Sequence, residues 1–319
     1  MNKVFTLSYV LTTRNKLPYL KEVMKRLLEH AQPDEEIVIT DGASTDGTVE
    51  YLTELYNQGK IHQFISEPDK GESHGFNKGF LMARGELIKL LTDDDVFCFS
   101  AIQECKHFMQ ANNSFDCVTG GIASLRFDNY ELSQFIIGKE YEKSFTEWIN
   151  AKTNTCFFGG LALMIRKSAL SKFGLFDISY THIDLEYCTR LTFLKAKIAY
   201  YSALHVVAIR NNESKSVLAK SDLVSNECNR VDYYYNSKIV PINSYSTITL
   251  LGTIFSKIEN KVKQTFKSGN KVNTKKETDQ YFGSELLKPK YYTVGDLFSD
   301  CEVLMHDFNT SVEHRFIFK

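Results

Sequence analysis

The chain has 319 residues, 43% of them hydrophobic and 24% charged, and a net charge of −1. That is globular composition, long enough for a large core, and it holds no extended charged block of the kind that binds nucleic acid. The cysteines number seven, an odd count, and form no CxxC pair, which argues against a zinc site or a disulfide framework and fits a reducing cytoplasm.

In chain order, "MNKVFTLSYVLTTRNK" holds a short apolar run without a small-residue cleavage site, so residues 4–11 read as a first strand and not as a leader. Residues 17–30 place apolar side chains at helical spacing. A strand over 36–40, a helix over 46–56, a strand over 61–66, a helix over 71–84 and a strand over 86–91 follow. This alternation predicts βαβ units, hence an α/β fold with a mostly parallel sheet and helices on both faces. Beyond residue 96 it weakens into a helix over 99–109, strands over 116–125 and 155–165, a helix over 182–195, a strand over 197–209 and a helix over 216–235. His205, inside a strand, reads as a core histidine.

Ligands bind beyond the carboxyl ends of such strands. There the chain reads "TTRNK", "DGASTDGT", "EPDKG" and "TDDD". The last lies in "LLTDDDVF", residues 90–97, where three adjacent carboxylates repel. Two unit charges ~4 Å apart cost about 1 kcal/mol in water and several times that near a protein surface. Either a hard dication, held by one or two carboxylates plus substrate phosphates, relieves the repulsion, or the turn is solvated and one aspartate caps the next helix. Asp41 ends the second strand, where it either bonds a base or ribose or is buried against backbone amides. Asp46 is the expected N-cap of the helix that follows.

These segments, with "EIVITDGASTDGTVEYL", "CFFGGLALMIRKSALSKFGLFD" and "IDLEYCTRL", resemble the family 2 glycosyltransferases of GT-A fold over roughly the first 210 residues. The resemblance implies a nucleotide-sugar-binding half over 1–98, an acceptor-binding half over 99–240 and a C-terminal extension over 241–319. It places Thr12, Thr13 and Arg14 beside the nucleotide base, Asp41 on the base itself, and Asp69 and Lys78 in the nucleotide-facing segment. Gly160 falls against donor sugar and acceptor. "TDDD" matches the motif that holds metal and sugar-diphosphate, with Thr92 where the family has its first aspartate. Asp94 and Asp95 are the expected ligands of Mn²⁺ or Mg²⁺, and Asp93 joins Asp94 in holding the donor. Asp184 falls at the general base, Ile183 replaces the usual glutamate, and Glu186 is the next acidic residue.

The implied activity is transfer, with inversion, from a nucleotide-diphosphate sugar, a UDP-sugar above all, to a hydroxyl of a saccharide or lipid-linked acceptor. Bacterial surface polysaccharide or lipopolysaccharide synthesis is its implied setting. The leaving diphosphate needs positive charge, and the attacking hydroxyl needs a base within ~3 Å. Asp184, about 90 residues after the acidic turn, meets that need; a carboxylate favoured by the helix dipole is the alternative. Asp184 and Glu186 stand about 200° apart on a helix, so they do not share one role.

A nucleotidyltransferase and a non-catalytic sugar-nucleotide-binding scaffold of the same fold are the competing readings. The first would carry a glycine-rich loop after the first strand, and "TTRNKLP" has no glycine. "STITLLGTIFSKIENKVKQTFK" fits either a helix lying on an anionic membrane, at its inner face, or one packed on the catalytic domain. "YYTVGDLFSDCEVLMHDF" reads as ordered, docking on the domain or on a second copy in a homodimer.

Overall fold

A computed structural model describes residues 4–128, 132–210, 221–236, 280–281 and 293–319. The first half runs β1 (Leu7–Thr13), α1 (Leu17–His30), β2 (Glu35–Asp41), α2 (Thr48–Asn57), β3 (Gln63–Ser66), α3 (Glu72–Met82) and β4 (Leu87–Leu91). These strands are parallel, in the order β3-β2-β1-β4. Strand order reverses between β1 and β4, so their carboxyl ends open on a switch-point crevice. β1 is buried throughout: Leu7, Tyr9 and Leu11 enter one core and Val10 the other. A strand covered on both faces is mostly apolar, and the polar side chain of Ser8 within it is satisfied by donating to Glu36 Oε2 (2.7 Å).

The second half adds β5 (Val96–Phe97), α4 (Phe99–Ala111), β6 (Cys117–Asp128), β7 (Leu132–Ile137), α5 (Lys139–Ile149), β8 (Met164–Arg166), α6 (Leu170–Phe173), α7 (Ile183–Phe193) and β9 (Ile198–Arg210). β8 lies antiparallel between β4 and β6, and β9 runs parallel to β6 while pairing antiparallel with β5. Next come α8 (Ser221–Val231) with a wider π turn (Asp232–Asn236), β10 (Gln280–Tyr281) against β7, α9 (Val294–Ser311), and β11 (Phe316–Ile317) against β9. α9 is ordered, as expected: Thr293 and Asp296 close a capping box, and Leu297, Phe298, Cys301 and Met305 enter the main core. The segment over 246–267 lies outside the described residues. Among the described residues no helix is long and apolar enough to cross a membrane.

Two expectations fail for identifiable reasons. Of the strand over 155–165, only its end is a strand, Met164–Arg166; the residues before it are irregular. Lys89, fully buried in β4, donates from Nζ to the carbonyl oxygens of Leu161 (2.6 Å) and Leu163 (3.4 Å). A buried ammonium needs such acceptors, so these carbonyls bond a side chain and not a ladder partner. Burial also pulls the Lys89 pKa down to about 7. Asp46 does not sit at the N-cap of α2; Gly47 does, in the left-handed region at φ 92°. The Asp46 carboxylate instead accepts from the amides of Leu17 (2.9 Å) and Thr48 (3.2 Å), tying the starts of α1 and α2 together.

α3 packs on β1 through Gly79, where an added Cβ would meet Val10 Cγ1 at 2.2 Å. Gly79→Ala is therefore expected to destabilise the chain by about 1–3 kcal/mol in urea unfolding. In a Val10→Ala background that cost should shrink by at least ~0.5 kcal/mol. Additive costs would show that this contact does not set the α3–β1 distance.

Candidate active site

A cleft of about 430 Å³ opens at the carboxyl ends of β1 and β4. Thr12, Thr13, Arg14, Asp69, Asp93, Asp94, Asp95, Gly160 and Asp184 all line it. Segments far apart in sequence thus meet on one surface.

The acidic turn resolves its crowding by giving each carboxylate a different partner. Thr13 Oγ1 (2.7 Å) and the Arg14 amide (3.3 Å) donate to Asp93 Oδ2. Lys16 Nζ lies 3.0 Å from Asp94 Oδ2. Asp95 is engaged at both oxygens: Thr92 Oγ1 donates to Oδ2 (2.6 Å) and the Ile209 amide to Oδ1 (2.9 Å). Asp95 therefore ties the turn to β9 with one hydrogen bond on each oxygen, and of the two expected metal ligands only Asp94 keeps an oxygen that takes none among the described residues. The Oδ1 atoms of Asp93 and Asp94 take no hydrogen bond among the described residues. Burial, then the Asp94 charge, raise the pKa of Asp93 and of Asp95 to about 7.

No group of three or more His, Cys, Asp or Glu among the described residues could hold a metal ion alone. Mg²⁺-type sites need only one or two carboxylates when substrate phosphates complete the shell. Asp93 and Asp94, each with one unengaged oxygen, fit that arrangement.

On the facing wall, Asp184 stands in the first turn of α7. The Gly160 amide points at Asp184 Oδ2 from 3.5 Å, and a Cβ on Gly160 would lie 2.5 Å from Asp184 Cβ. A larger residue would push the segment off α7. Burial raises the Asp184 pKa, only partly offset by the Gly160 amide, which makes this carboxylate the better base. Glu186 is engaged elsewhere: Arg190 Nη2 (2.8 Å) and the Tyr235 hydroxyl donate to it.

Two expected donor residues do not line the cleft. Asp41 is fully buried and accepts from the Ser44 amide and hydroxyl and from Ser66 Oγ (2.6 Å), so its carboxylate holds the β2–α2 turn. Lys78 Nζ sits 3.5 Å from Glu67 Oε1. His205 is a core residue, with Nε2 3.1 Å from Cys105 Sγ and a pKa that burial lowers to about 3. Sequence reading missed Lys16, His182 and Lys89. Lys16, three residues after Thr13, carries only its charge as a signal; the other two depend on neighbours remote in the chain. A separate cavity of about 680 Å³ lies between the start of α4 and α9 and holds none of the predicted residues.

The sequence model of glycosyl transferase family 2 matches residues 8–174, more than half of the chain. The chain belongs to this family, and its α/β architecture is the GT-A fold. It is 31% identical over 109 residues to an uncharacterized glycosyltransferase of Nostoc sp., covering 34% of each chain. Over 195 residues it is 27% identical to TuaG of Bacillus subtilis, a protein assigned to teichuronic acid biosynthesis, covering 61% of this chain and 74% of TuaG. The chain therefore spans about a third of the Nostoc protein's length and about three quarters of TuaG's. The crystal structure of S. aureus TarS 1–349 in complex with UDP-GlcNAc superposes with a TM-score of 0.54 at 15% identity, over 73% of this chain and 68% of that one.

The carboxylate shifts fix a pH dependence. With folded pKa values of about 7 against 3.8, Asp93 and Asp95 keep protons that the unfolded chain has released. Their contribution to stability is full below pH ~4 and lost as pH rises to ~7. Asp94→Asn leaves the larger effect, burial, in place but removes the second cause of both shifts, and the partly exposed Lys16 pair it breaks is worth under ~1 kcal/mol. Without divalent ions, the variant should lose less stability than the wild type from pH 5 to 8, by about 1–2 kcal/mol. Parallel melting profiles would contradict this.

Proposed function

We propose that the chain transfers a sugar, with inversion, from a nucleotide-diphosphate donor to a hydroxyl of a saccharide or lipid-linked acceptor, in bacterial surface polysaccharide synthesis. The observation that carries the reading is the convergence on one cleft of two unengaged aspartate oxygens, at Asp93 and Asp94, and of a base-ready carboxylate, Asp184. A UDP-sugar donor is supported by the TarS complex with UDP-GlcNAc on the same fold. The setting is supported by relatives named for teichuronic acid, hyaluronan and chondroitin synthesis.

In this reading Asp184 takes the proton of the acceptor hydroxyl. The oxygen forms its bond to the anomeric carbon while the bond to the diphosphate breaks, and opposite-side attack inverts the centre. Thr13 and the Arg14 amide hold Asp93 in place, and Asp93 and Asp94 would hold Mn²⁺ or Mg²⁺. Bound there, that cation supplies Lewis-acid stabilisation of the departing diphosphate. Arg14, Lys16 and Arg210 line the same cleft and add positive charge around the phosphates.

Asp184→Asn should bind UDP-sugars as the wild type does in calorimetry, while transfer, read as released UDP, falls by about 10²–10⁴-fold. Wild-type turnover in this variant would move the base elsewhere.

A further inference from the structure

The chain that follows the family-matched region returns to grip the segment that delivers Asp184. Arg230 of α8 donates to the Ser179 carbonyl oxygen (3.3 Å) and hydroxyl (2.9 Å), and its guanidinium lies 4.1 Å from the Tyr180 ring centroid. One turn earlier, Glu227 accepts from the amides of Thr181 (2.7 Å) and His182 (3.0 Å), and its Oε2 lies 2.7 Å from His182 Nδ1. Tyr235 bonds Glu186 in α7. Contacts from one short stretch therefore bracket Asp184 on both sides.

Glu227 is a carboxylate at 2% exposure with no solvent to satisfy it. Burial alone would raise its pKa; the Thr181 and His182 amides and the His182 ring outweigh that and hold it below the usual range. An ionised carboxylate only accepts hydrogen bonds, so in the neutral ring the His182 proton sits on Nδ1 and Nε2 becomes an acceptor. A carboxylate that fixes an imidazole tautomer in this way is a known orienting device of active sites. His182 lines the cleft two residues from Asp184, with its side chain 24% exposed, and Nε2 takes no hydrogen bond among the described residues.

We propose that Glu227 is a positioning residue that both anchors the Asp184 segment and holds His182 as the Nδ1–H tautomer, and that His182 Nε2 accepts a hydrogen bond from a hydroxyl of the acceptor sugar. The assignment deepens the transferase reading and rests on Asp184 marking the acceptor side.

The test has one arm that needs no substrate. ¹⁵N-histidine spectra of the full chain at pH 8, assigned with His182→Gln, should show His182 as the Nδ1–H tautomer. Glu227→Gln should shift it toward Nε2–H. A wild-type Nε2–H ring, or a tautomer balance unchanged by Glu227→Gln, overturns the proposal. In steady-state kinetics, His182→Gln leaves the Glu227 backbone bonds in place and should raise the acceptor KM roughly tenfold with UDP-sugar binding unchanged. An unaltered acceptor KM also overturns it. Should Asp184 not be the base, the tautomer result would still stand, so the two failures are separable.

Discussion

Three neighbouring carboxylates at the end of β4 cannot all remain charged and unpartnered, and the way the chain relieves them organises the site. Asp93 is bonded from β1, Asp94 from the loop after β1, and Asp95 from its own turn and from β9. Each bond relieves part of the repulsion and also fixes where one strand end lies relative to another. Asp95 serves the structure, while Asp93 and Asp94 retain one unengaged oxygen each. Burial first, and the Asp94 charge after it, still raise the pKa values of Asp93 and Asp95. A site with that excess of negative charge at a switch point suits a ligand that brings positive charge with it.

The facing wall is built by different means. Buried Lys89 holds the Leu161 and Leu163 carbonyls and so keeps the segment after Gly160 irregular and close to α7. Gly160 permits that closeness, and Asp184 is partly desolvated as a result. α8 secures the other side of Asp184 through Glu227 and Arg230. The Asp184 carboxylate is thus positioned by a strand lysine, a glycine and a later helix.

What the sequence shows depends on how local each determinant is. α1 was readable to its ends because Leu20, Val23, Met24 and Leu27 repeat at helical spacing, and the first parallel strands were readable because both faces are apolar. The cleft members of the β1 and β4 turns were readable because strand ends in such sheets carry ligands. The full set of partners of Asp41 and Asp95 was not readable, since beside the local Ser44 and Thr92 it includes Ser66 and the Ile209 amide, 25 and 114 residues away. The irregular run before β8 was hidden for the same reason: it is imposed by Lys89, 72 residues upstream of Leu161. α5 had a legible signal in Tyr141, Phe145 and Trp148 that was overlooked.

The central claim is that the unengaged oxygens of Asp93 and Asp94 share a dication with the donor's diphosphate. Electron paramagnetic resonance of Mn²⁺ with the full chain addresses it without any acceptor. The account predicts that UDP tightens Mn²⁺ binding, that Mn²⁺ reciprocally tightens UDP binding, and that Asp94→Asn abolishes both effects. Equal UDP affinity in Mn²⁺ and in chelator, with Mn²⁺ left free in solution, would contradict it.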